Sequence, residues 1–172
     1  MFKSIIFCGK GGQGILYASN IFVNVLFYNT NLYISSSDIH GLARRGGSVR
    51  SEIKYGTEVI YSPVVENADY IVDFDGDEYN NYLNLCTLET TIISAKKNNH
   101  LNNNCNFVNI DLSEIAFEKN ISKKFQNMIL LGFFIKFLNF FHNLCTSSKA
   151  CPYLDWSIFP QYSHSLLLLL TL

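Results

Sequence analysis

Gly9-Lys10-Gly11-Gly12-Gln13-Gly14 is the first stretch whose residue types and spacing point to chemistry. It satisfies G-x-G-x-x-G between an apolar run, 3–8, and a run with helical character, 14–28. Glycines let a backbone take positive φ and approach a ligand closely. A helix that starts there offers free N–H groups and the positive end of its dipole. Such a turn can hold a phosphate or a carboxylate, and Lys10 adds a charge at its mouth. The same residues equally make a tight strand-to-helix joint without a ligand. A dinucleotide site asks for more, an acidic residue about 20 positions on at the end of a second strand. Asp38 stands near that distance. No Walker A pattern is present, because Gly14 is not followed by Lys-Ser/Thr.

A second constellation follows at Ser37-Asp38-Ile39-His40-Gly41-Leu42-Ala43-Arg44-Arg45-Gly46-Gly47-Ser48-Val49. Two arginines, a histidine and paired glycines in one connection supply donors for an anion and a backbone able to come close to it. Taken alone, it also reads as a solvated loop whose arginines pair with carboxylates elsewhere. Metal chemistry finds no support. The five cysteines form no C-x-x-C pair, and zinc or iron–sulfur ligation usually needs clustered thiolates. No two histidines stand at i, i+4. An odd number of thiols without a secretory signal fits a reducing, cytoplasmic setting. The net charge of −1 and the lack of a basic run argue against a nucleic-acid partner held by phosphate neutralisation.

These residues need elements to position them. The chain has 172 residues, 48% hydrophobic and 15% aromatic, enough for one well-packed domain. The apolar run 3–8 reads as a buried parallel strand, followed by a helix over 14–28. A short strand over 32–35 leads into a polar connection, 36–47. Residues 48–55 alternate in the period of a half-exposed strand, and 58–61 is expected to pair with it as a hairpin ended by Pro63. Strands are expected over 70–74, 90–94 and 107–110, and short helices over 77–85 and 112–118, the latter with Asp111 as its cap. A longer helix, capped near Ser122, runs to about 144. The Asn-rich stretch 96–106 reads as an exposed loop. Strands alternating with helices predict an α/β fold, a Rossmann-like three-layer sandwich with a mainly parallel sheet and an inserted antiparallel hairpin.

No membrane partner is expected. The apolar stretch 128–141 is interrupted by Lys136 and Asn139, and the five consecutive leucines near the end are too short, against the ~20 residues a spanning helix needs. The N-terminal apolar run is too short for a signal peptide. From Thr146 the pattern changes and shows neither helical nor strand period. We therefore divide the chain into a domain, 1–145, and an off-pattern tail, 146–172, of the kind a truncated or frame-shifted reading frame leaves.

Together the two glycine-bearing motifs resemble the gamma subunit of 2-oxoacid:ferredoxin oxidoreductases, nearest to the indolepyruvate oxidoreductase beta subunit. The resemblance rests on G-x-G-G-Q-G at 9–14 and S-[DE]-x-H-G-x-x-x-R-G-G-x-V-x-S, met here from Ser37 to Ser51. It continues through Ser51-Glu52-Ile53-Lys54-Tyr55-Gly56, Val59-Ile60-Tyr61-Ser62-Pro63, Asn67-Ala68-Asp69-Tyr70-Ile71-Val72 and Asn127-Met128-Ile129-Leu130-Leu131-Gly132. It covers about residues 3–135.

The resemblance implies a subunit that is not active alone. Thiamine diphosphate, magnesium and iron–sulfur clusters would sit on catalytic partner subunits. A 2-oxoacid would be oxidatively decarboxylated to a coenzyme A thioester, with electrons passing to ferredoxin. This chain would help form the substrate or coenzyme A side of the site. Gly9, Gly11, Gly12, Gln13 and Gly14 would make one lip, and Ser37, His40, Gly41, Arg45, Gly46 and Gly47 the second. Arg45 is the expected contact to an anionic group, and no catalytic residue or metal ligand is assigned to this chain. Two departures stand out: Lys10, where a small or apolar residue is usual, and Asp73-Phe74-Asp75-Gly76-Asp77-Glu78-Tyr79, in place of a segment nearer Glu-Pro-x-Glu-Ala. The alternatives are a stand-alone NAD(P)-binding oxidoreductase with Asp38 on the ribose, and a degenerate structural domain.

Overall fold

A computed structural model describes residues 2–40, 46–96, 105–118, 120–122 and 125–138. They fall into two compact units, Met1–Asp111 and a second beginning at Leu112.

The first unit is built on a six-stranded sheet. Its strands are β1 (Phe2–Lys10), β2 (Tyr33–His40), β3 (Ser48–Gly56), β4 (Ala68–Asp73), β5 (Cys86–Ser94) and β6 (Asn106–Asn109), in the order β2-β3-β1-β4-β5-β6. Helix α1 (Ile15–Asn29) follows the glycine turn, and a 3-10 helix, Glu78–Leu85, joins β4 to β5. The β1–β4, β4–β5 and β5–β6 pairs are parallel, whereas β3 is antiparallel to both β1 and β2. The sheet is thus mainly parallel, with a β2–β3 hairpin set against it.

Alternation along the strands assigns the two faces. Phe7 packs against Phe22 of α1 in a tilted contact with ring centroids 5.6 Å apart, and Phe22 meets Tyr55 edge-on at 6.4 Å. On the opposite face Ile6, Cys8, Ile71 and Ile92 pack with Tyr79 and Tyr82 of the 3-10 helix. Helices on both faces give the three layers. Central strands buried on both sides explain why 3–8 reads as a continuous apolar run.

Two strand assignments differ from expectation. Residues 58–61 form no strand, because both hydrogen-bonding edges of β3 are already taken, by β1 and by β2. Val59 and Tyr61 are correspondingly 48% and 94% exposed. Conversely, the polar residues 36–40 belong to β2 rather than to a loop. An edge strand needs no continuous apolar run, so its serines conceal it from a search for one.

In the second unit, α2 (Leu112–Glu118) and α3 (Gln126–Phe137) pack on one another. The residue before α3 is Phe125 rather than Ser122; Phe125 makes no side-chain cap, and its N–H donates to the Ser122 carbonyl. The expected continuation of this helix to 144, and the tail 146–172, lie outside the described residues.

Candidate functional site: two glycine lips at the carboxyl end of the sheet

From β1 the chain crosses through α1 towards β2 on one side, while β4 lies on the other. The strand order therefore reverses at the β1–β4 boundary. Open α/β sheets leave a crevice at the carboxyl ends of their strands at such a point. The turn 9–14 stands there, and so does the chain leaving β4.

The two lips touch. The Gly11 N–H donates to the Gly47 carbonyl at 2.8 Å, and the Gly46 N–H donates back to the Gly11 carbonyl at 3.3 Å. Gly46 takes φ +77°, a conformation that costs an L side chain roughly 1–2 kcal/mol. A side chain at Gly9 would come within 2.8 Å of Gln13 Oε1 and 3.0 Å of Ile15, so glycine there is a packing requirement.

Gln13 faces both ways. Its Oε1 accepts the Lys10 N–H at 2.7 Å, and its Nε2 donates to Asp75 Oδ1 at 2.9 Å. The other Asp75 oxygen receives Lys10 Nζ at 2.8 Å. Burial works to raise the Asp75 carboxyl. The hydrogen bonds from Lys10 and Gln13, with the charge of Lys10, outweigh it and hold the group below its ordinary value. The second lip is held from the same turn: Ser48 Oγ donates to Glu78 Oε2 at 2.8 Å and lies 3.3 Å from the Tyr82 hydroxyl. The segment Asp73–Tyr79 thus grips both lips, the first through Asp75 and the second through Glu78.

Asp73 stands at the end of β4, fully buried and paired in register with Cys8. Burial pushes its carboxyl up to about 6, against backbone N–H groups of Gly76, Asp75 and Tyr79 that favour its charged form. The Asp75 N–H donates to its Oδ1 at 3.0 Å.

Of the expected site residues, Gly9, Gly11, Gly12, Gln13, Gly14, Gly46 and Gly47 all lie along these two lips. His40 ends β2 level with Gly9, since both pair with Val49. Ser37 is level with Ile6 across Glu52, three residues short of the lip along β1. Gly41 and Arg45 lie outside the described residues. Asp38 does not approach the glycine turn from a neighbouring strand. With β3 between β1 and β2 it stands two strand spacings from β1, about 10 Å. Its carboxylate accepts from Ser51 Oγ at 2.6 Å, and Ser51 in turn lies 2.5 Å from Ser19 Oγ of α1. That is a structural tie between β2, β3 and α1.

Asp75 and Glu78 were not among the expected site residues. The available signal was Lys10 itself, a cation in a glycine turn with no acidic residue near it in sequence.

A family model described as pyruvate ferredoxin/flavodoxin oxidoreductase matches residues 4–149. The chain belongs to this family. Among curated relatives, the indolepyruvate oxidoreductase subunit IorB of Methanothermobacter thermautotrophicus is 38% identical over 73 residues, covering 42% of this chain and 36% of that protein. The subunit of the same name from Thermococcus kodakarensis is 33% identical over 82 residues, covering 47% of this chain and 40% of that protein. The matches thus span less than half the length of these curated relatives.

Solved structures share the fold. The pyruvate oxidoreductase subunit PORC of Thermotoga maritima superposes with a TM-score of 0.64 at 18% identity, over 81% of this chain and 78% of that one. A 2-oxoglutarate:ferredoxin oxidoreductase from Magnetococcus marinus, with 2-oxoglutarate, coenzyme A and succinyl-CoA bound, gives 0.65 at 19% identity, over 76% of this chain and 23% of that one. The keto/oxoacid ferredoxin oxidoreductase gamma subunit of Geobacter sulfurreducens gives 0.60 at 18%, over 77% and 75%.

Among the described residues no group of three or more His, Cys, Asp or Glu is placed to hold a metal. No described helix is long and apolar enough to cross a membrane.

Proposed function

We propose that this chain is the gamma-type subunit of a 2-oxoacid:ferredoxin oxidoreductase of the indolepyruvate or pyruvate type, and that its two glycine lips form one wall of a site shared with catalytic partner subunits. The observation that carries this reading is the reciprocal backbone bridge between Gly11 and Gly46–Gly47. It joins the two motifs of the resemblance into one rim at the carboxyl end of the sheet.

The described cysteines do not suit an iron–sulfur cluster: Cys8 is buried in the core, and only Cys86 and Cys105 remain. The resemblance assigns cluster and thiamine diphosphate to partner subunits, where they would supply decarboxylation and electron transfer to ferredoxin. Coenzyme A would be the co-substrate. The domain that does this work is 1–145, and the setting is cytoplasmic.

The part left to this chain is positioning. Lys10 is already engaged by Asp75, so the first lip presents backbone rather than a free cation. Anion contact then falls to Arg45 on the second lip, whose guanidinium suits a carboxylate or phosphate bidentately. His40 orients that loop.

Anaerobic reconstitution with a thiamine-diphosphate subunit tests the reading. The folded chain is expected to associate and restore acyl-CoA formation. With Arg45→Ala, association should persist while turnover falls at least about tenfold, the scale of one lost charge-assisted contact. Failure of any such partner to associate would sink the assignment. Unchanged kinetics with Arg45→Ala would remove only that residue from the site.

A further inference from the structure

Cys86 and Cys105 lie far from the glycine lips and take no part in the proposed function. Cys86 heads β5 and Cys105 immediately precedes β6. The strand register brings them together. Asn106 pairs with Thr91, while Cys86 pairs with Ala68, only two residues before Tyr70, the partner of Thr91. Five residues of β5 thus advance against two of β4. The extra chain folds back on itself: the Thr87 N–H donates to Thr90 Oγ1 at 2.7 Å, and Thr90 Oγ1 donates to the Ala68 carbonyl at 2.5 Å. The bulge returns Cys86 to a level two residues before Asn106, one residue from Cys105 on the adjacent strand. Both cysteines pack, half-buried, on the cluster of Tyr79, Tyr82 and Phe107. Cys86 Sγ donates to the Tyr82 carbonyl at 3.7 Å. The two thiols lie within hydrogen-bonding reach of each other.

We propose that Cys86 and Cys105 are a modification site, a thiol pair that a low-molecular-weight disulfide converts to an intramolecular disulfide joining the starts of β5 and β6. The exchange balances without any further oxidant. The Cys105 thiolate attacks one sulfur of the small disulfide, whose S–S bond breaks and releases one thiolate. Cys86 sulfur then displaces the second small thiol from Cys105. Two protons leave the protein thiols and end on the two small thiols, which are the reduced product.

The order of attack follows from the surroundings. Burial, together with its contact with Cys105, pushes the Cys86 thiol up to about 11. Burial also raises Cys105, but there the hydrogen bond from Cys86 works the other way. Cys105 is therefore the better thiolate and the first to react, and closure speeds up with rising pH because the thiolate is the nucleophile. The bond would enclose β5 and the Asn-rich stretch after it, and it would pin the edge strand β6 to the sheet.

Full-length reduced protein treated with oxidised glutathione, then alkylated and mapped by mass spectrometry, tests this. The expected product is a linked Cys86–Cys105 peptide pair, lost on reduction with dithiothreitol and formed several-fold faster at pH 9 than at pH 7. Cys86→Ser should arrest the protein at a glutathione adduct on Cys105. If that variant does not fold, the Cys145→Ser/Cys151→Ser protein serves instead, and it should still form the link. Persistent glutathione adducts on both residues of the wild type would overturn the proposal. So would pairing of either residue with another cysteine, or both thiols remaining open to alkylation.

Discussion

Two ion pairs bridge β1 to β4 or to the chain just beyond it, one at each end, and they do different things. At the amino end Lys3 Nζ reaches Asp69 Oδ1 at 2.6 Å, and the other oxygen of Asp69 accepts the Ser4 backbone N–H at 2.8 Å. At the carboxyl end Lys10 Nζ reaches Asp75 Oδ2 at 2.8 Å, and the other oxygen accepts from the side chain of Gln13. The pairs have the same chemistry and nearly the same length. Asp69 clamps one strand's backbone to the next and belongs to the frame. Asp75 holds a loop through two side chains, so what it sets is the shape of the rim. The lesson is that the role of an ion pair comes from what its carboxylate's second oxygen holds.

The comparison is broken or sharpened by a graded set of substitutions. The largest effect on folding is expected from Gly9→Ala, whose methyl group must displace Gln13 and Ile15. A loss of about 1–3 kcal/mol is expected in urea unfolding, the usual scale of overpacking, together with release of Gln13 from Asp75. An unchanged midpoint would show that the first lip yields freely.

Asp73→Asn comes next, and its sign depends on pH. The folded state holds the Asp73 proton up to about 6, while the unfolded chain releases it near 4. Between those values the folded state binds more protons, so the stability contributed by Asp73 falls as pH rises through that window and stays low above it. Asparagine carries no charge to bury. Relative to wild type, its effect on stability should therefore be more favourable at pH 8 than at pH 5, by about 1–2 kcal/mol. A pH-independent difference between the two proteins would refute the assignment.

Asp69→Ala should cost about 1 kcal/mol, because it strands the buried Ser4 N–H. Turnover of the reconstituted complex should not change. Asp75→Asn should have the smallest effect on stability, within about 0.5 kcal/mol, since the Lys10 end of its ion pair is half open to water. It should nevertheless lower turnover several-fold by loosening the rim. If Asp69→Ala impairs turnover while Asp75→Asn leaves it intact, the contrast between the two ends is reversed.

The β1–turn–α1 unit was legible in the sequence, because its features are local: a buried strand shows as an apolar run and the turn as its glycines. The family, too, was legible from two contiguous motifs. The partner of β3 was misread as 58–61, because local alternation reveals a strand but not its neighbours. The polar half of β2 was hidden for the same reason: an edge strand is defined by what it pairs with, here β3, and not by its own hydropathy.

At the site, the types and spacing in 9–14 and 46–47 determined which residues line the rim. That the two lips are hydrogen-bonded to each other, and that Asp75 and Glu78 grip one each, was decided only when the sheet formed. Lys10 and Asp75 are 65 residues apart, and Ser48 and Glu78 are 30 apart. Those distances in sequence are closed by the parallel register of β1 with β4 and by the crossing of β3 beside β1. The sequence by itself supplied the local conformations and the family motifs, because each depends on residues within one turn or strand of one another. The pairing of charges across the crevice depends on strand order, which no local stretch encodes.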